Sequence, residues 1–170
     1  MLTVNASDLQ STGSYGIQLS KGWISLIGGT TVVGPVGGLA AYAGPDQVIR
    51  LETDGAELTG GTFGILFQAA DYGHIILRNT RAEGGSYGLD LSQYEEQATV
   101  DLGTAASPGN NQLVGGVFAY FEHGTPAWPA PYSAIGTTLN GTSYAGQLLV
   151  GPATLSPDYD IVNAGSSIQF

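Results

Sequence analysis

Five glycines recur at one fixed interval in this sequence. Gly13, Gly37, Gly61, Gly85 and Gly109 are evenly spaced, so that each follows the one before it at the same distance along the chain. The interval of about 24 residues lies in the range, between about 20 and about 50, that indicates repeat architecture, in which one supersecondary unit stacks on the next. The spacing therefore predicts a stack of similar units.

Apolar and polar residues alternate after four of these glycines. Apolar side chains stand at the third, fifth and seventh positions of each segment, and a period of two is typical of a strand with one buried face. The predicted inward set is Tyr15, Ile17, Leu19, Leu39, Ala41, Ala43, Phe63, Ile65, Phe67, Tyr87, Leu89 and Leu91. The fourth position holds only Gly16, Ala40, Gly64 and Gly88, which indicates a close approach of neighbouring backbones or a bend.

A second strand and a weaker third strand follow in each repeat. The second strands align Ile24 and Leu26 with Ile49 and Leu51, then with Ile75 and Leu77, then with Val100 and Leu102. Three short strands in about 24 residues indicate an all-β chain folded as a parallel β-helix. A β-propeller blade needs about 40 residues and four strands. A β-sandwich gives no reason for identical residues at one interval.

The repeat signal does not extend over the whole chain. We predict parallel β-helix coils over residues 1–118, and a last irregular coil with a C-terminal cap over residues 119–170. The segment 125–131 contains too much proline for a central strand. The open end of a β-helix needs a cover, because an exposed strand edge promotes aggregation.

The charge balance excludes several partners. The net charge is −10, and the only cations are Lys21, Arg50, Arg78 and Arg81. Nucleic acids and anionic membrane surfaces require clustered basic residues, so neither is an expected partner. We expect no membrane insertion, because no segment approaches the 18 or so consecutive apolar residues of a transmembrane helix. The chain has no cysteine and therefore no disulfide or zinc–thiolate site.

Three segments carry a resemblance to a known family. They are 75–80 (IILRNT), 87–89 (YGL) and 100–111 (VDLGTAASPGNN). Over about residues 60–115 the sequence resembles bacterial right-handed parallel β-helix proteins of a domain-of-unknown-function family. The wider group contains polysaccharide lyases, polygalacturonase-like hydrolases and phage tailspikes. The resemblance therefore implies a right-handed coil and an extracellular or cell-surface location in a bacterium or phage. It also makes a homo-oligomer one expected arrangement.

The best candidate for a site is a row of acids after the first strand of successive coils. Asp46, Asp71 and Glu95 recur at nearly the same interval as the glycines, and Glu96 adjoins the row. Equivalent positions in a β-helix stack at about 4.8 Å per coil. Such a row suits solvated surface acids, a Ca²⁺ ion or a pair of glycosidase carboxylates, and these three interpretations stay open.

Aromatic residues accompany the row. Tyr72 and Tyr94 adjoin its acids, while Trp23 and the outward Tyr42 lie nearby in the repeat. Exposed rings on a ridge stack on sugar faces, or else pack against neighbouring coils. We call Asp46, Asp71, Tyr72, Tyr94, Glu95 and Glu96 together the acidic ridge; these six are the predicted binding residues.

No catalytic set emerges from the other polar residues. The strand alignment predicts an outward ion pair between Glu52 and Arg78. Asn110 and Asn111 are typical of a turn or an internal hydrogen-bonded stack.

These features favour a non-catalytic, surface or extracellular β-helix module, either structural or carbohydrate-binding, with a polysaccharide as the candidate partner. One alternative is a glycoside hydrolase or lyase that uses the acidic ridge. Another is a tailspike-like trimer. No cofactor is expected beyond the Ca²⁺ alternative.

Overall fold

A computed structural model describes residues 1–69, 72–92, 99–123, 132–150, 154–155, 160–163 and 167–170. All regular secondary structure in these ranges is β-strand. The described part of the chain therefore offers no helix that is long and apolar enough to cross a bilayer. The proline-dense segment 125–131 lies outside these ranges.

The strands follow one another in sets of three. Coil 1 contains β1 (Leu2–Asn5), β2 (Asp8–Gln10) and β3 (Tyr15–Leu19). Coil 2 contains β4 (Gly22–Ile27), β5 (Thr31–Gly34) and β6 (Gly37–Ala43). Coil 3 contains β7 (Val48–Asp54), β8 (Glu57–Gly60) and β9 (Phe63–Ala69). Coil 4 contains β10 (Tyr72–Arg78), β11 (Arg81–Gly84) and β12 (Tyr87–Ser92), and coil 5 contains β13 (Thr99–Gly103), β14 (Gln112–Gly115) and β15 (Phe118–His123).

Seven short strands complete the described chain. They are β16 (Tyr132–Ala134), β17 (Thr138–Leu139), β18 (Thr142–Ser143), β19 (Leu148–Val150), β20 (Thr154–Leu155), β21 (Ile161–Asn163) and β22 (Ser167–Gln169). Of these, β16, β17, β21 and β22 continue the parallel pairing of the coils. The other three run antiparallel.

Every third strand joins the same sheet. Sheet A has the order β1-β4-β7-β10-β13-β16-β22-β19, sheet B the order β2-β5-β8-β11-β14-β17-β18, and sheet C the order β3-β6-β9-β12-β15-β21-β20. Coils 1 to 5 pair in parallel throughout. The predicted parallel β-helix is thus confirmed, with about 5 turns.

The repeat length differs from the glycine interval. A turn takes about 26 residues, slightly more than the spacing of the glycines. Gly61 and Gly85 do stack, because a Cβ on Gly85 would lie 2.2 Å from the Gly61 carbonyl oxygen. Gly37 instead pairs with Tyr15 and Phe63, and Gly109 packs beside Leu102. The five evenly spaced glycines therefore occupy different positions in their coils and do not form one column.

The true glycine columns lie at the corner between sheets B and C. In sheet B the register aligns Gly34, Gly60, Gly84 and Gly115. A column of Gly16, Gly38, Gly64 and Gly88 faces it from sheet C. A Cβ on Gly34 would lie 2.3 Å from the backbone nitrogen of Gly16, so the two columns are in backbone contact. Ala40, which we placed in the second column, pairs instead with Gln18 and Leu66.

The core fills the inside of the coils. In sheet A, Ile24, Leu51, Ile75 and Val100 are successive register partners, and each is at most 6% exposed. Burying one such side chain contributes roughly 1.5–3 kcal/mol. The predicted inward residues Leu39, Ile65, Phe67, Leu89 and Leu91 are all buried. Tyr15, Phe63 and Tyr87 are only half-buried, because they lie at the corner where sheet C begins.

A second corner, between sheets A and B, has its own conformational signature. The residues at equivalent positions there all have positive φ: Ala6, Gly29, Gly55, Asn79, Asn110 and Gly136. Glycine adopts this left-handed conformation most readily, and asparagine tolerates it better than most residues that carry a side chain. The predicted turn at Asn110 is therefore confirmed. The alternative of an internal stack is not seen at Asn110, because its side chain donates to Asn79 Oδ1 at 3.3 Å on the surface, where both residues are exposed.

Candidate functional site

The acidic ridge is only partly within the described residues. Asp46 lies in the connection between β6 and β7, is exposed and has a φ of 60°. Tyr72 begins β10, is 39% exposed and pairs with Val48 one coil earlier. These two residues thus lie at the same corner, between sheets C and A. Asp71, Tyr94, Glu95 and Glu96 lie outside the described residues, so the ridge stays a prediction.

The Ca²⁺ alternative also depends on acids outside the described residues. Within the described ranges, no three His, Asp or Glu side chains form a group that would hold a metal ion. Two of the three acids proposed as ligands, Asp71 and Glu95, are not among those residues. The Ca²⁺ site therefore also stays a prediction.

The outer face of sheet A carries a different set of polar and aromatic residues. Trp23, Arg50, His74 and Thr99 are register partners on four successive strands, β4, β7, β10 and β13. They point outward because the alternate residues on these strands are buried in the core. This row therefore crosses four coils on one face of sheet A.

Arg50 connects the row internally. Its guanidinium carbon lies 4.6 Å from the centroid of the Trp23 ring, within the range of a cation–π contact. Its Nε donates to Glu52 Oε1 at 2.8 Å, and its Nη2 also contacts that oxygen. Further along the row, His74 Nδ1 lies 2.7 Å from Thr99 Oγ1. The Trp23 ring and the Arg50 guanidinium therefore hold each other in place.

A second ion pair lies beside the row. Arg78 Nη2 donates to Asp101 Oδ2 at 2.7 Å, and its Nη1 donates to the Leu77 carbonyl at 2.8 Å. Asp101 Oδ1 accepts from the Gly103 backbone N–H at 2.9 Å. The predicted pair of Glu52 with Arg78 is therefore wrong. The register places Glu52 beside Ile76, and Arg78 beside Asp54.

The charges on this face nearly cancel. The described residues contribute two guanidinium groups, Arg50 and Arg78, and three carboxylates, Glu52, Asp54 and Asp101, for a net −1. The whole chain carries −10. Asp54 accepts from Asn79 Nδ2 at 2.7 Å, so each of the three carboxylates has a hydrogen-bond donor. The outer face of sheet A thus combines an aromatic ring with fixed, charge-paired donors and acceptors.

Aromatic residues line the start of sheet C. The rings of Phe63 and Tyr87 stack with centroids 5.6 Å apart and an angle of 15°, and Phe118 follows 6.3 Å from Tyr87. Tyr15 and Tyr42 share a hydrogen bond between hydroxyl oxygens 2.6 Å apart. These rings stack on one another or share a hydrogen bond between hydroxyl groups, so they mainly contact other residues of the protein. The stack supports the corner rather than offering a free ring face.

Tyr42 is expected to make the stability of the protein sensitive to alkaline pH. The pKa of the Tyr42 hydroxyl is raised above its ordinary value of about 10, mainly by burial. The hydrogen bond with Tyr15 raises this pKa further, and so does electrostatic repulsion from Tyr15 and Asp90. The unfolded chain keeps the ordinary pKa. The contribution of Tyr42 to stability is thus fully present below about pH 10, and it is lost as the pH rises from there through the higher folded pKa.

Urea unfolding at several values between about pH 8 and about pH 11 checks this expectation. Tyr42→Phe should make the alkaline loss of unfolding free energy shallower, since phenylalanine has no proton to lose. Tyr72→Phe, on the exposed surface of sheet A, is the control and should keep the wild-type dependence on pH. An unchanged alkaline loss in Tyr42→Phe would contradict the expectation.

The fold defines the class of the protein as a parallel β-solenoid module. Comparisons with protein-family models, with curated proteins and with solved structures found no match. The sequence signals for the outer face of sheet A were weak. Trp23 was noted as an aromatic residue, but its contact with Arg50 depends on the register between β4 and β7, two strands in successive coils.

Proposed function

We propose that this β-helix is a non-catalytic, surface or extracellular module that binds a neutral polysaccharide across the outer face of sheet A. The observation that carries the proposal is the row in which the Arg50 guanidinium lies against the Trp23 ring and bonds to Glu52. An apolar ring beside a few fixed polar groups is the general composition of a small-molecule site. Sugars offer both partners, an apolar C–H face and a rim of hydroxyl groups.

The charge of the face supports a neutral ligand. Each arginine on it is paired with a carboxylate, which balances its positive charge and leaves little attraction for an acidic sugar. The net charge of −10 also repels polyanions at a distance. Hydroxyl groups, in contrast, both donate and accept, and they match a surface on which guanidinium donors alternate with carboxylate acceptors.

The length of the row supports a long ligand. The row runs across strands that lie about 4.8 Å apart, so four coils offer a surface about 14 Å long. Its residues come from strands rather than loops, and a strand holds its side chains in fixed positions. We expect a chain of several sugar units to lie along the solenoid axis, with Trp23 at the end nearer the N-terminus.

Titration calorimetry with a panel of soluble glycans tests the proposal. The panel contains a glucan, a mannan and a xylan as neutral probes, and polygalacturonate as an acidic probe. We expect at least one neutral probe to bind and polygalacturonate not to bind. Arg50→Ala should weaken that binding at least tenfold, because it removes a charged donor and frees the Trp23 ring from its partner.

The chain itself offers a matched control. Arg81 and Glu83 form an equivalent pair two residues apart on sheet B, with the arginine 39% exposed as in Arg50. Arg81→Ala should therefore change the affinity less than twofold. Binding that weakens equally in both variants, or that is confined to polygalacturonate, would contradict the proposal.

The same samples test the enzyme alternative. Release of reducing sugars or unsaturated products would show turnover, and its loss in Asp71→Asn with retained fold would assign the chemistry to the acidic ridge. A glycan that is bound and recovered intact supports the non-catalytic module.

A further inference from the structure

A two-residue turn follows coil 5. The strands β17 and β18 pair antiparallel with Leu139 opposite Thr142, so that only Asn140 and Gly141 lie between them. Their φ values are 47° and 80°. Positive φ at both central residues is typical of a type I′ hairpin turn, in which the pair Asn-Gly is strongly preferred. Both residues are exposed, so water reaches the turn.

The Asn140 side chain joins this turn to two other segments. Its Oδ1 accepts from the backbone N–H of Gly115, the last residue of β14, at 2.9 Å. Its Nδ2 donates to Asp160 Oδ1 at 3.1 Å. Asp160 immediately precedes β21, and its other carboxylate oxygen accepts from the Tyr144 hydroxyl. A single amide group therefore connects β14 in sheet B, the turn, and the start of β21 in sheet C.

The position of the Asn140 amide suits a neutral donor and not a second charge. Asp160 is 4% exposed, and both of its carboxylate oxygens accept hydrogen bonds. The chain contains no Lys or Arg after Arg81, and Arg81 is paired with Glu83 in β11, two strands away from β17 in sheet B. A carboxylate in place of the amide would therefore face a buried negative charge, with no lysine or arginine from the later strands to balance it. Like charges that close are strongly unfavourable in a buried site.

An asparagine that is followed by glycine can lose its side-chain amide without an enzyme. The backbone nitrogen of Gly141 attacks the side-chain carbonyl carbon of Asn140, and the new C–N bond closes a cyclic imide. The bond from that carbon to the amide nitrogen breaks, and ammonia leaves with the proton of the Gly141 nitrogen. Water then opens the imide at either carbonyl, which gives aspartate or isoaspartate. Glycine favours the attack because it has no Cβ to obstruct it, and this is the only Asn-Gly pair in the chain.

We propose that Asn140 is a site of spontaneous deamidation, and that its conversion separates the turn from Asp160 and loosens the strands that follow coil 5. In the folded turn both atoms of the amide are held by hydrogen bonds, so the reaction proceeds in molecules whose turn has opened. Aspartate keeps the acceptor for the Gly115 N–H but repels Asp160. Isoaspartate lengthens the backbone of a turn that has only two residues. Neither product restores the original contacts, so the change runs in one direction.

Peptide mass spectrometry of protein aged at mildly alkaline pH tests the reaction. Asn79 and Asn110 are internal controls, because they match Asn140 in exposure and positive φ, and their side chains also form hydrogen bonds. Each of them is followed by a residue with a side chain. We expect Asn140 to deamidate at least tenfold faster than either. No reaction at Asn140, or equal rates at all three asparagines, would overturn the proposal.

A variant of the following residue tests the chemistry of the attack. A Cβ on Gly141 would meet nothing within 4 Å, and asparagine tolerates positive φ, so Gly141→Asn should keep the turn. The added side chain obstructs the attacking nitrogen. Gly141→Asn should therefore slow the deamidation of Asn140 at least tenfold. An undiminished rate in this variant, with the fold confirmed by circular dichroism, would overturn the proposed reaction.

The consequence of the reaction is tested by a variant that carries the product. Asn140→Asp should lower the melting temperature by about 5 °C or more, because two carboxylates then face each other. Asn110→Asp makes the same change at an exposed position whose side chain contacts the amide oxygen of Asn79, and it should lower the melting temperature by less than about 2 °C. Equal losses in the two variants would overturn the role of Asp160.

Exchanging the two side chains isolates the charge repulsion. The double variant Asn140→Asp with Asp160→Asn keeps one carboxylate and one amide, so a donor and an acceptor still face each other. It should recover at least half of the loss in melting temperature that Asn140→Asp causes alone. The exchange also keeps the test informative if the single variant does not fold. A double variant no more stable than Asn140→Asp would overturn the proposed repulsion.

Discussion

Gly84→Ala is expected to lower the free energy of unfolding by about 3 kcal/mol or more. A Cβ at this position would lie 2.1 Å from the Tyr87 carbonyl oxygen, 2.5 Å from that of Thr62 and 2.7 Å from the Gly64 nitrogen. All three are backbone atoms, so no side-chain rotation relieves the overlap. The corner between sheets B and C would have to open, and both sheets would move with it.

Urea unfolding followed by circular dichroism measures the loss. Gly44→Ala is the matched control, because its Cβ would meet nothing closer than 3.8 Å, and it should change the unfolding free energy by less than about 0.5 kcal/mol. Gly37→Ala should fall between the two, since its nearest neighbour is the Tyr15 side chain at 3.0 Å. This intermediate variant keeps the test informative if Gly84→Ala does not fold. Equal stability of all three variants would contradict the backbone contact.

Asn111→Ala is expected to cost about 3 kcal/mol, because it removes a buried amide that satisfies several groups at once. Asn111 is 1% exposed. Its Nδ2 reaches the carbonyl oxygens of Leu77 and Leu102 at 3.0 and 2.9 Å. Its Oδ1 accepts from the Thr80 backbone N–H at 3.1 Å. Alanine would leave the Thr80 N–H without this acceptor in the interior.

Thermal unfolding of Asn111→Ala and Gln112→Ala separates burial from local sequence. Gln112 is the next residue, is exposed, and accepts only a surface hydrogen bond from Arg81, so its loss should cost less than about 0.5 kcal/mol. Asn111→Asp keeps the acceptor for Thr80 but loses the two donors, and it should also destabilise strongly. If Asn111→Ala unfolded at the wild-type temperature, the asparagine would not stabilise the corner.

The sequence pattern was sufficient for the fold and for most of the core. Alternation of apolar residues assigned Leu39, Ile65 and Leu89 to the inside, where they are 0% exposed. The turn at Asn110 also followed from residue type, because few residues tolerate a left-handed backbone. These features depend on local conformation and on side-chain direction, both of which a single strand expresses by itself.

Register was harder to predict, and for a physical reason. Side chains alternate with a period of two, so a slip of two residues leaves every apolar side chain on the correct face. The alignment of Leu51 with Leu77 is such a slip, since Leu51 pairs with Ile75. Tyr15 likewise pairs with Gly37 instead of Leu39. The hydrophobic pattern carries no information that distinguishes these registers.

The candidate site depended on the register and was missed for that reason. Arg50 and Glu52 lie on one strand, and their pairing is a simple two-residue spacing. Trp23 joins them only because β4 and β7 pair Trp23 with Arg50, at an offset longer than the glycine interval. An error in this offset moves a side chain along the strand and away from its partner. A site made of several coils therefore requires the three-dimensional structure.

The corner between sheets B and C separates the parts of this chain that tolerate change from those that do not. In coils 2 to 5 the connection there is two residues long each time, 35–36, 61–62, 85–86 and 116–117. The other two corners vary: the connection from sheet A to sheet B is only 55–56 in coil 3 but spans 104–111 in coil 5. Insertions acquired during evolution, or grafted by design, can therefore enter at those two corners and adjoin sheet A. The corner between sheets B and C keeps the same short connection in each of these coils. New binding specificity can therefore arise beside sheet A without a change in the fold.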